Sequence, residues 1–201
     1  MSRLPAAVRR EQLLDVALDL FSRHGYARAT TAELAKAAGV TEPIIYRHFA
    51  SKRDLFVDLI ERQAKRTLET WERDLAGAKD PAARLKILIG DNPMVSAEGR
   101  AGYRVFLQAI TEVEDAAIQK AVTKHITELH AFMAREIARL QDERKTARPA
   151  FSPEIIAWML IHIGLGYGVL AAMGVPGQGE DAHGQHVQNV LERLLVGRAA
   201  E

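Results

Sequence analysis

Residues 30–49 read TTAELAKAAGVTEPIIYRHF, and they contain the clearest local signals of structure in the chain. Thr30 followed three positions later by Glu33 fits a capping box, which predicts that a short helix begins here. Gly39 ends that helix, because glycine enters the positive φ that such a turn requires. A second short helix follows, with Thr41 as its cap. The segment therefore predicts a helix, a four-residue turn and a helix.

This predicted hairpin has an apolar face and a polar face. The apolar side chains that are expected to face inward are Leu34, Ala35, Val40, Ile45 and Phe49. The side chains left on the exposed face are Thr41, Glu42, Pro43, Ile44, Tyr46, Arg47 and His48, followed by Lys52. A short helix that presents hydrogen-bonding and methyl-contacting groups has the shape that enters a DNA major groove. The same spacing also fits a plain helical hairpin with solvated polar residues.

The rest of the chain is predicted to be helical as well, and no segment alternates as a strand would. Apolar residues recur at helical spacing from about Ala6 to the last predicted helix, about Asp181–Val196. We expect an all-α fold of about nine helices. A three-helix helix-turn-helix domain would occupy residues 1–50, and a helical bundle would occupy residues 51–201.

Charge and composition indicate one kind of binding partner and exclude the sites that depend on cysteine. Residues 1–66 hold 12 Lys/Arg and 8 Asp/Glu, whereas residues 67–201 hold 15 and 18. A basic amino-terminal part on an acidic body suits a polyanionic partner, although ordinary surface scatter gives the same pattern. The chain has no cysteine, which excludes disulfides, cysteine zinc sites and a thiol nucleophile. No secretory signal pattern opens the chain, and we expect a cytoplasmic protein.

The hairpin and the residues before it resemble the DNA-binding domain of TetR-family transcriptional regulators. The matching residues are Phe21, Gly25-Tyr26, Thr30-Thr31, Leu34-Ala35, Ala38-Gly39-Val40, Tyr46, His48-Phe49 and Ser51-Lys52. The resemblance covers about residues 7–67. It implies a homodimeric regulator that binds double-stranded operator DNA, most often a repressor released by a small-molecule effector. It also implies that residues 51–201 bind the ligand and dimerise, with a ligand-independent regulator and an activator as the alternatives.

Carried over by position, the resemblance assigns roles within the exposed set. Thr30 and Thr31 would meet a phosphate at the start of the first hairpin helix, where free N–H groups favour an anion. Phosphate contacts are implied for Tyr46, His48 and Lys52, and base contacts for Glu42, Pro43 and Ile44. A carboxylate only accepts hydrogen bonds, so a cytosine amine is the best partner for Glu42. Many family members carry glycine where this chain has Pro43.

The apolar segment Ile155–Val175 contains 21 residues without a formal charge, which is long enough to span a bilayer. A soluble helix is the better interpretation, because His162 lies near the middle and flanking Lys/Arg are sparse. No membrane partner is expected. Gly164 and Gly168 favour close helix contact, so this helix and the stripe at 187–195 could pair with a second copy. Burial in the core of the same subunit is the alternative.

A bundle cavity would supply the effector site. The side chains that could line it are Tyr103, Phe106, Ile110, His125, Phe132, Met133, Trp158 and His162. Each of them could equally be plain core, and an apolar or aromatic effector is expected. His183 and His186 form an i, i+3 pair that a metal could use, but a solvated helix start explains it as well. No catalytic motif is present, so we expect no enzyme, no cofactor and no metal site.

Overall fold

The computed structural model describes residues 5–89, 97–143, 151–173 and 175–176. These residues form eight helices and no strands, which confirms the predicted all-α class. The helices are α1 (Ala6–His24), α2 (Thr31–Ala38), α3 (Glu42–Tyr46), α4 (Lys52–Ala76), α5 (Pro81–Ile89), α6 (Ala97–Thr111), α7 (Ala116–Glu143) and α8 (Pro153–Met173). The predicted ninth helix, about Asp181–Val196, lies outside the described residues.

The ends of the first helices follow the local signals in the sequence. Gly25 after α1 has φ +83°, and Gly39 after α2 has φ +65°, a left-handed conformation that other residues rarely adopt. Thr30 caps α2 through a complete capping box, in which its hydroxyl accepts from the Glu33 N–H at 3.2 Å. Thr41 occupies the N-cap position of α3, but its side chain makes no capping hydrogen bond.

The first compact unit combines the chain up to Lys65 with Arg100–His125. Its centre is an aromatic cluster in which the Tyr26 ring stacks on Phe56 at 4.0 Å between centroids. Phe21 meets both rings edge-on, at 5.7 and 5.6 Å. This unit therefore contains the helix-turn-helix segment, the first half of α4 and most of α6. The functional boundary between residues 50 and 51 stays a prediction.

Ion pairs hold α1 against the first half of α4. Arg62 donates to Asp15 at 2.8 Å and to Glu11 at 3.1 Å, and Arg10 pairs with Asp58. Burial raises the pKa of Asp58, and the nearby Arg10 guanidinium opposes that shift. The contacts fix the α4 segment that directly follows the helix-turn-helix.

The second compact unit combines Arg66–Gly99 with the chain from Ile126 onward. The Trp71 and Phe132 rings stack nearly parallel at 5.9 Å. Arg84 and Glu136 form an ion pair at 3.3 Å, with side chains only 11% and 12% exposed. The buried residues of this core are Trp71, Leu75, Leu88, Phe132, Met133, Ala134, Ile137, Leu140, Ile156, Ala157, Leu160 and Ile161.

Helix α8 has one buried face and one exposed face. The residues that it contributes to the core of its unit are Ile156, Ala157, Leu160 and Ile161. Its exposed apolar residues are Ile155, Trp158, Met159, Val169, Leu170 and Met173. By length and composition alone, Pro153–Leu170 could cross a membrane, but such a test also selects helices of soluble proteins. Among the described residues, the Trp158 ring of this face stacks on His130 at 4.3 Å, and the other five side chains remain 38% to 71% exposed.

Candidate nucleic-acid interface

Helices α2 and α3 are held together by their buried residues. Leu34 and Ala35 on α2 and Ile45 on α3 are buried, and Phe49 is buried just after α3. The Val40 N–H donates to the Ala35 carbonyl at 2.9 Å, which closes the turn between the helices. The five residues of α3 are therefore anchored by one apolar side and carry their other side chains outward.

A polar cluster joins the start of α2 to the outward side of α3. The Thr31 hydroxyl donates to Glu42 Oε2 at 2.7 Å. The Tyr46 hydroxyl lies 3.2 Å from the same threonine oxygen. Because the single Thr31 proton is used on Glu42, Tyr46 donates to Thr31. Three of the predicted interface residues thus form one hydrogen-bonded chain.

None of the ten predicted interface residues is fully buried. The exposed members are Thr30, Thr41, Pro43, Tyr46 and Arg47, and the half-buried members are Thr31, Glu42, Ile44, His48 and Lys52. Tyr46 keeps 50% of its surface exposed although its hydroxyl bonds to Thr31. The arrangement offers acceptors, donors and apolar groups within a short distance of one another.

Lys52 makes contacts that its sequence position did not indicate. Its ammonium donates to the Tyr26 carbonyl at 2.9 Å and to the Ala29 carbonyl at 3.0 Å. It also lies 4.5 Å from the centroid of the Tyr26 ring. Because an ammonium has three donors, one remains for a phosphate. Lys52 therefore fastens the loop between α1 and α2, and its phosphate role stays a prediction.

The capping box shapes the charge at the start of α2. The backbone N–H and the hydroxyl of Thr30 both donate to the Glu33 carboxylate, at 2.9 Å each. These hydrogen bonds hold the pKa of Glu33 below its ordinary value. Glu33 therefore stays ionised and keeps Thr30 in the capping position.

Gln108 supports the loop before the interface, and its sequence position gave no indication of this role. It lies on α6, and its side-chain Nε2 donates to the Phe21 carbonyl at 3.0 Å. Its Oε1 accepts from the Tyr26 N–H at 2.8 Å. No local sequence signal could reveal these bonds, because the partner atoms belong to backbone more than eighty residues away.

The eight predicted effector residues fall into two groups. The members in the first unit are Tyr103, Phe106, Ile110 and His125, and those in the second unit are Phe132, Met133, Trp158 and His162. Phe132 and Met133 are buried in the core of their unit. Trp158 and His162 lie on the exposed side of α8, and the Trp158 ring stacks on His130 at 4.3 Å.

Two titratable groups of the first unit are strongly affected by burial. Burial lowers the pKa of His125 to about 4, so the imidazole is neutral at pH 7. Its Nδ1 is buried without a hydrogen-bond partner among the described residues, and the Phe106 ring lies edge-on at 5.1 Å. Burial also raises the pKa of Tyr103 to about 12. Both groups are therefore neutral at pH 7.

Among the residues that the structure describes, no group of three or more His, Asp or Glu side chains could hold a metal ion. The pair His183 and His186 lies outside the described residues, so its interpretation stays open.

The helix-turn-helix segment is similar to known proteins in sequence. Residues 13–59 match the family described as bacterial regulatory proteins, tetR family. The chain is 31% identical over 129 residues to the HTH-type transcriptional activator FasR of Mycolicibacterium smegmatis, covering 63% of this chain and 59% of FasR. The match thus spans less than two thirds of that relative. The chain is 32% identical over 142 residues to the nucleoid occlusion factor SlmA of Marinobacter nauticus, covering 70% and 72%.

A solved structure shares the fold over nearly the whole chain. A transcriptional regulator from Saccharomonospora viridis, solved in complex with choline, superposes with a TM-score of 0.81 and 21% sequence identity. The superposition covers 97% of this chain and 99% of that one. Likeness at this identity concerns the fold alone.

Proposed function

This chain belongs to the TetR family of bacterial regulatory proteins, and from that membership we propose that it represses transcription from an operator that a small molecule makes it release. Members of the family are DNA-binding transcriptional regulators, so the open points are the contacts, the sign of regulation and the effector. We also propose that the protein is a regulator without catalytic activity.

The observation that carries the proposal is the hydrogen-bonded chain of Tyr46, Thr31 and Glu42. It draws side chains from two helices to one accessible side of the hairpin. In a solvated surface hairpin, such side chains would be free to point into water separately. Because their hydrogen bonds fix the three side chains in one arrangement, they support a surface that is preorganised to bind a single polar partner.

Within this surface we divide the residues by the DNA group that they would meet. Phosphates would be bound by Thr30, Thr31, Tyr46, His48 and Lys52, and base edges by Glu42, Pro43 and Ile44, with Thr41 and Arg47 at the margins. The hydroxyl protons of the two threonines and of Tyr46 are used on neighbouring side chains. Tyr46 would therefore turn its proton from Thr31 to the phosphate, and the threonines would meet the phosphate through backbone N–H groups at the start of α2. One oxygen of Glu42 accepts from Thr31, so the other can accept from a cytosine amine. Phosphate contacts set the register, and base contacts select the sequence.

We further propose that the exposed face of α8 pairs with its copy in a homodimer. Ile155, Trp158 and Met159 open this face, and Met173 at its far end is 71% exposed. A contiguous apolar face of this kind marks an interaction surface in a soluble protein. Two-fold pairing would present two recognition helices to two half-sites about one DNA turn apart, ~34 Å. We place the protein in the cytoplasm, where its operator lies.

The effector would act by changing the population of the DNA-competent arrangement. A ligand that binds one arrangement of α4 better than another shifts the equilibrium between them. We favour the first-unit group around Phe106 and His125 for ligand contact, because the buried Nδ1 of His125 has no hydrogen-bond partner in the part of the chain that the structure describes. The choline complex of the Saccharomonospora viridis regulator supports the idea of a small-molecule ligand in this fold.

Activation is the second candidate function, favoured by the match to the activator FasR. The two are distinguished by placing the recovered operator at a promoter in a reporter strain. Repression predicts that deleting the regulator raises reporter expression, whereas activation predicts that deletion lowers it.

Selection of genomic fragments by the purified protein at low ionic strength tests DNA binding itself. The wild-type chain should enrich a small set of duplexes, and Tyr46→Phe should weaken binding to all of them. Tyr167→Phe is the matched control, since this half-buried tyrosine lies outside the helix-turn-helix and outside the exposed apolar set of α8, and it should bind as the wild type does. Enrichment of no duplex by folded wild-type protein would overturn the proposal.

A further inference from the structure

Gln108 connects α6 to the backbone that leads into the helix-turn-helix. Its carboxamide donates to the Phe21 carbonyl at 3.0 Å and accepts from the Tyr26 N–H at 2.8 Å. A carbonyl can only accept and an N–H can only donate, so the two bonds fix the orientation of the amide. Among side chains of this length, only glutamine satisfies both partners at neutral pH.

The loop held by Gln108 is also held from its other side. Lys52 donates to the carbonyls of Tyr26 and Ala29, at 2.9 and 3.0 Å. Inside the loop, the Ala29 N–H donates to the Gly25 carbonyl at 3.1 Å. The next residue is Thr30, the cap of α2. The position at which α2 begins is therefore set by one residue of α4 and one residue of α6.

We propose that Gln108 is a positioning residue for operator binding, which acts by holding the loop before α2 without touching DNA. The inference rests on the proposed function, because the loop sets the positions of Thr30 and Thr31, where a phosphate would bind. Any shift of α6 against α1 must either break the two amide bonds or carry the loop with it. Operator affinity is thereby tied to a side chain that lies far from the helix-turn-helix in sequence.

The test uses two substitutions that remove the amide in different ways. Gln108→Leu removes both hydrogen bonds and keeps a similar volume. Gln108→Glu keeps the acceptor for Tyr26, but at neutral pH its carboxylate faces the Phe21 carbonyl with no proton to donate. Once protonated at low pH, the glutamic acid can donate to that carbonyl again. The matched control is Gln119→Leu, because the Gln119 side chain donates to a nearby carbonyl, that of Glu112, at 3.3 Å.

The measurements are operator dissociation constants between about pH 7.5 and about pH 5.5, on the duplex that wild-type protein selects, well below each melting temperature. We expect both Gln108 variants to bind about tenfold more weakly at pH 7.5, and the control to stay within about twofold. The gap between Gln108→Glu and wild type should narrow to about threefold at the lower pH, whereas the gap for Gln108→Leu should persist. A general loss of stability would not produce that difference.

A second readout needs no DNA. Hydrogen–deuterium exchange at the Tyr26 amide should accelerate in Gln108→Leu and remain unchanged in the Gln119 control. Wild-type operator affinity and wild-type Tyr26 exchange in the Gln108 variants would overturn the inference. A difference in affinity between Gln108→Glu and wild type that stays the same at both pH values would also overturn it. If wild-type protein selects no duplex at all, the proposed function fails and this inference fails with it.

Discussion

Thr31 and Glu42 lie on different helices and are joined by a hydrogen bond of 2.7 Å from the threonine hydroxyl to Glu42 Oε2. The Tyr46 hydroxyl, 3.2 Å from the same threonine oxygen, supports Thr31 from the other side. Because one carboxylate oxygen is held, the direction of the other is set before DNA arrives. Glu42 therefore meets the operator with less rotamer freedom to lose.

The first prediction concerns base selection. Thr31→Val keeps the shape but loses the hydroxyl, so Glu42 should swing more freely and discriminate less at its base pair. We expect discrimination against other bases at that position to fall about tenfold, because a good base contact contributes about 1–3 kcal/mol. The measurement is binding to an operator series that varies this one base pair. Thr31→Ser retains the hydroxyl and should keep the discrimination, and the same loss in both variants would contradict the role of the bond.

The second prediction separates two roles of Lys52. Lys52→Met removes the charged donor from the Tyr26 and Ala29 carbonyls, so the free energy of unfolding should fall by about 1–3 kcal/mol. If the third donor meets a phosphate, the slope of log affinity against log salt should also fall by about 1. Denaturant unfolding and salt titrations measure the two effects, with exposed Lys36→Met on α2 as the control. An unchanged unfolding energy would refute the loop role, and an unchanged slope would refute the phosphate role.

The sequence predicted both ends of α2, because each end is decided by residues that are close in the chain. Thr30 and Glu33 are three positions apart, and Gly39 directly follows the helix. The contact between Thr31 and Glu42 spans eleven positions and depends on how two helices cross. Spacing alone could place both residues near one surface, but it could not give their hydrogen bond.

Longer-range relationships escaped the sequence analysis for the same reason. Gln108 bonds to backbone atoms 82 and 87 positions away. Because almost every residue type has the same backbone groups, the sequence does not indicate which residue supplies such a partner. Lys52 was assigned to phosphate by resemblance, although two of its donors serve the loop before α2. The effector residues were chosen by apolar character, which also describes core residues such as Phe132. Apolar character therefore could not distinguish residues that line an effector cavity from residues that pack in the core.

The third prediction follows from the buried His125. Its pKa lies near 4 in the folded chain, below its ordinary value, so the unfolded state binds more protons between about pH 6.5 and pH 4. Stability is therefore full above that window and falls as the pH is lowered through it. Between pH 7 and pH 5 this one group should remove about 2 kcal/mol. Denaturant unfolding of wild type and His125→Phe at both pH values measures the difference. An equal loss in the two proteins would contradict the account.

The fourth prediction concerns the exposed apolar face of α8. Met159→Glu places a charge on that face in both subunits of a two-fold dimer, so its cost counts twice. We expect dimer dissociation to become roughly a hundredfold easier, with a matching loss of operator affinity. Sedimentation velocity measures the association state. Val113→Glu, at a 70% exposed position of the first unit, is the control and should remain dimeric. A Met159→Glu protein that stays dimeric would place the interface elsewhere.

Footprinting of the wild-type protein on the duplex that it selects shows whether two copies of the helix-turn-helix bind one operator. A homodimer that binds an operator should protect two half-sites related by a two-fold axis, with centres about one DNA turn apart, ~10 base pairs. Folded, ligand-free protein that protects no sequence on any double-stranded fragment at low ionic strength would contradict that expectation.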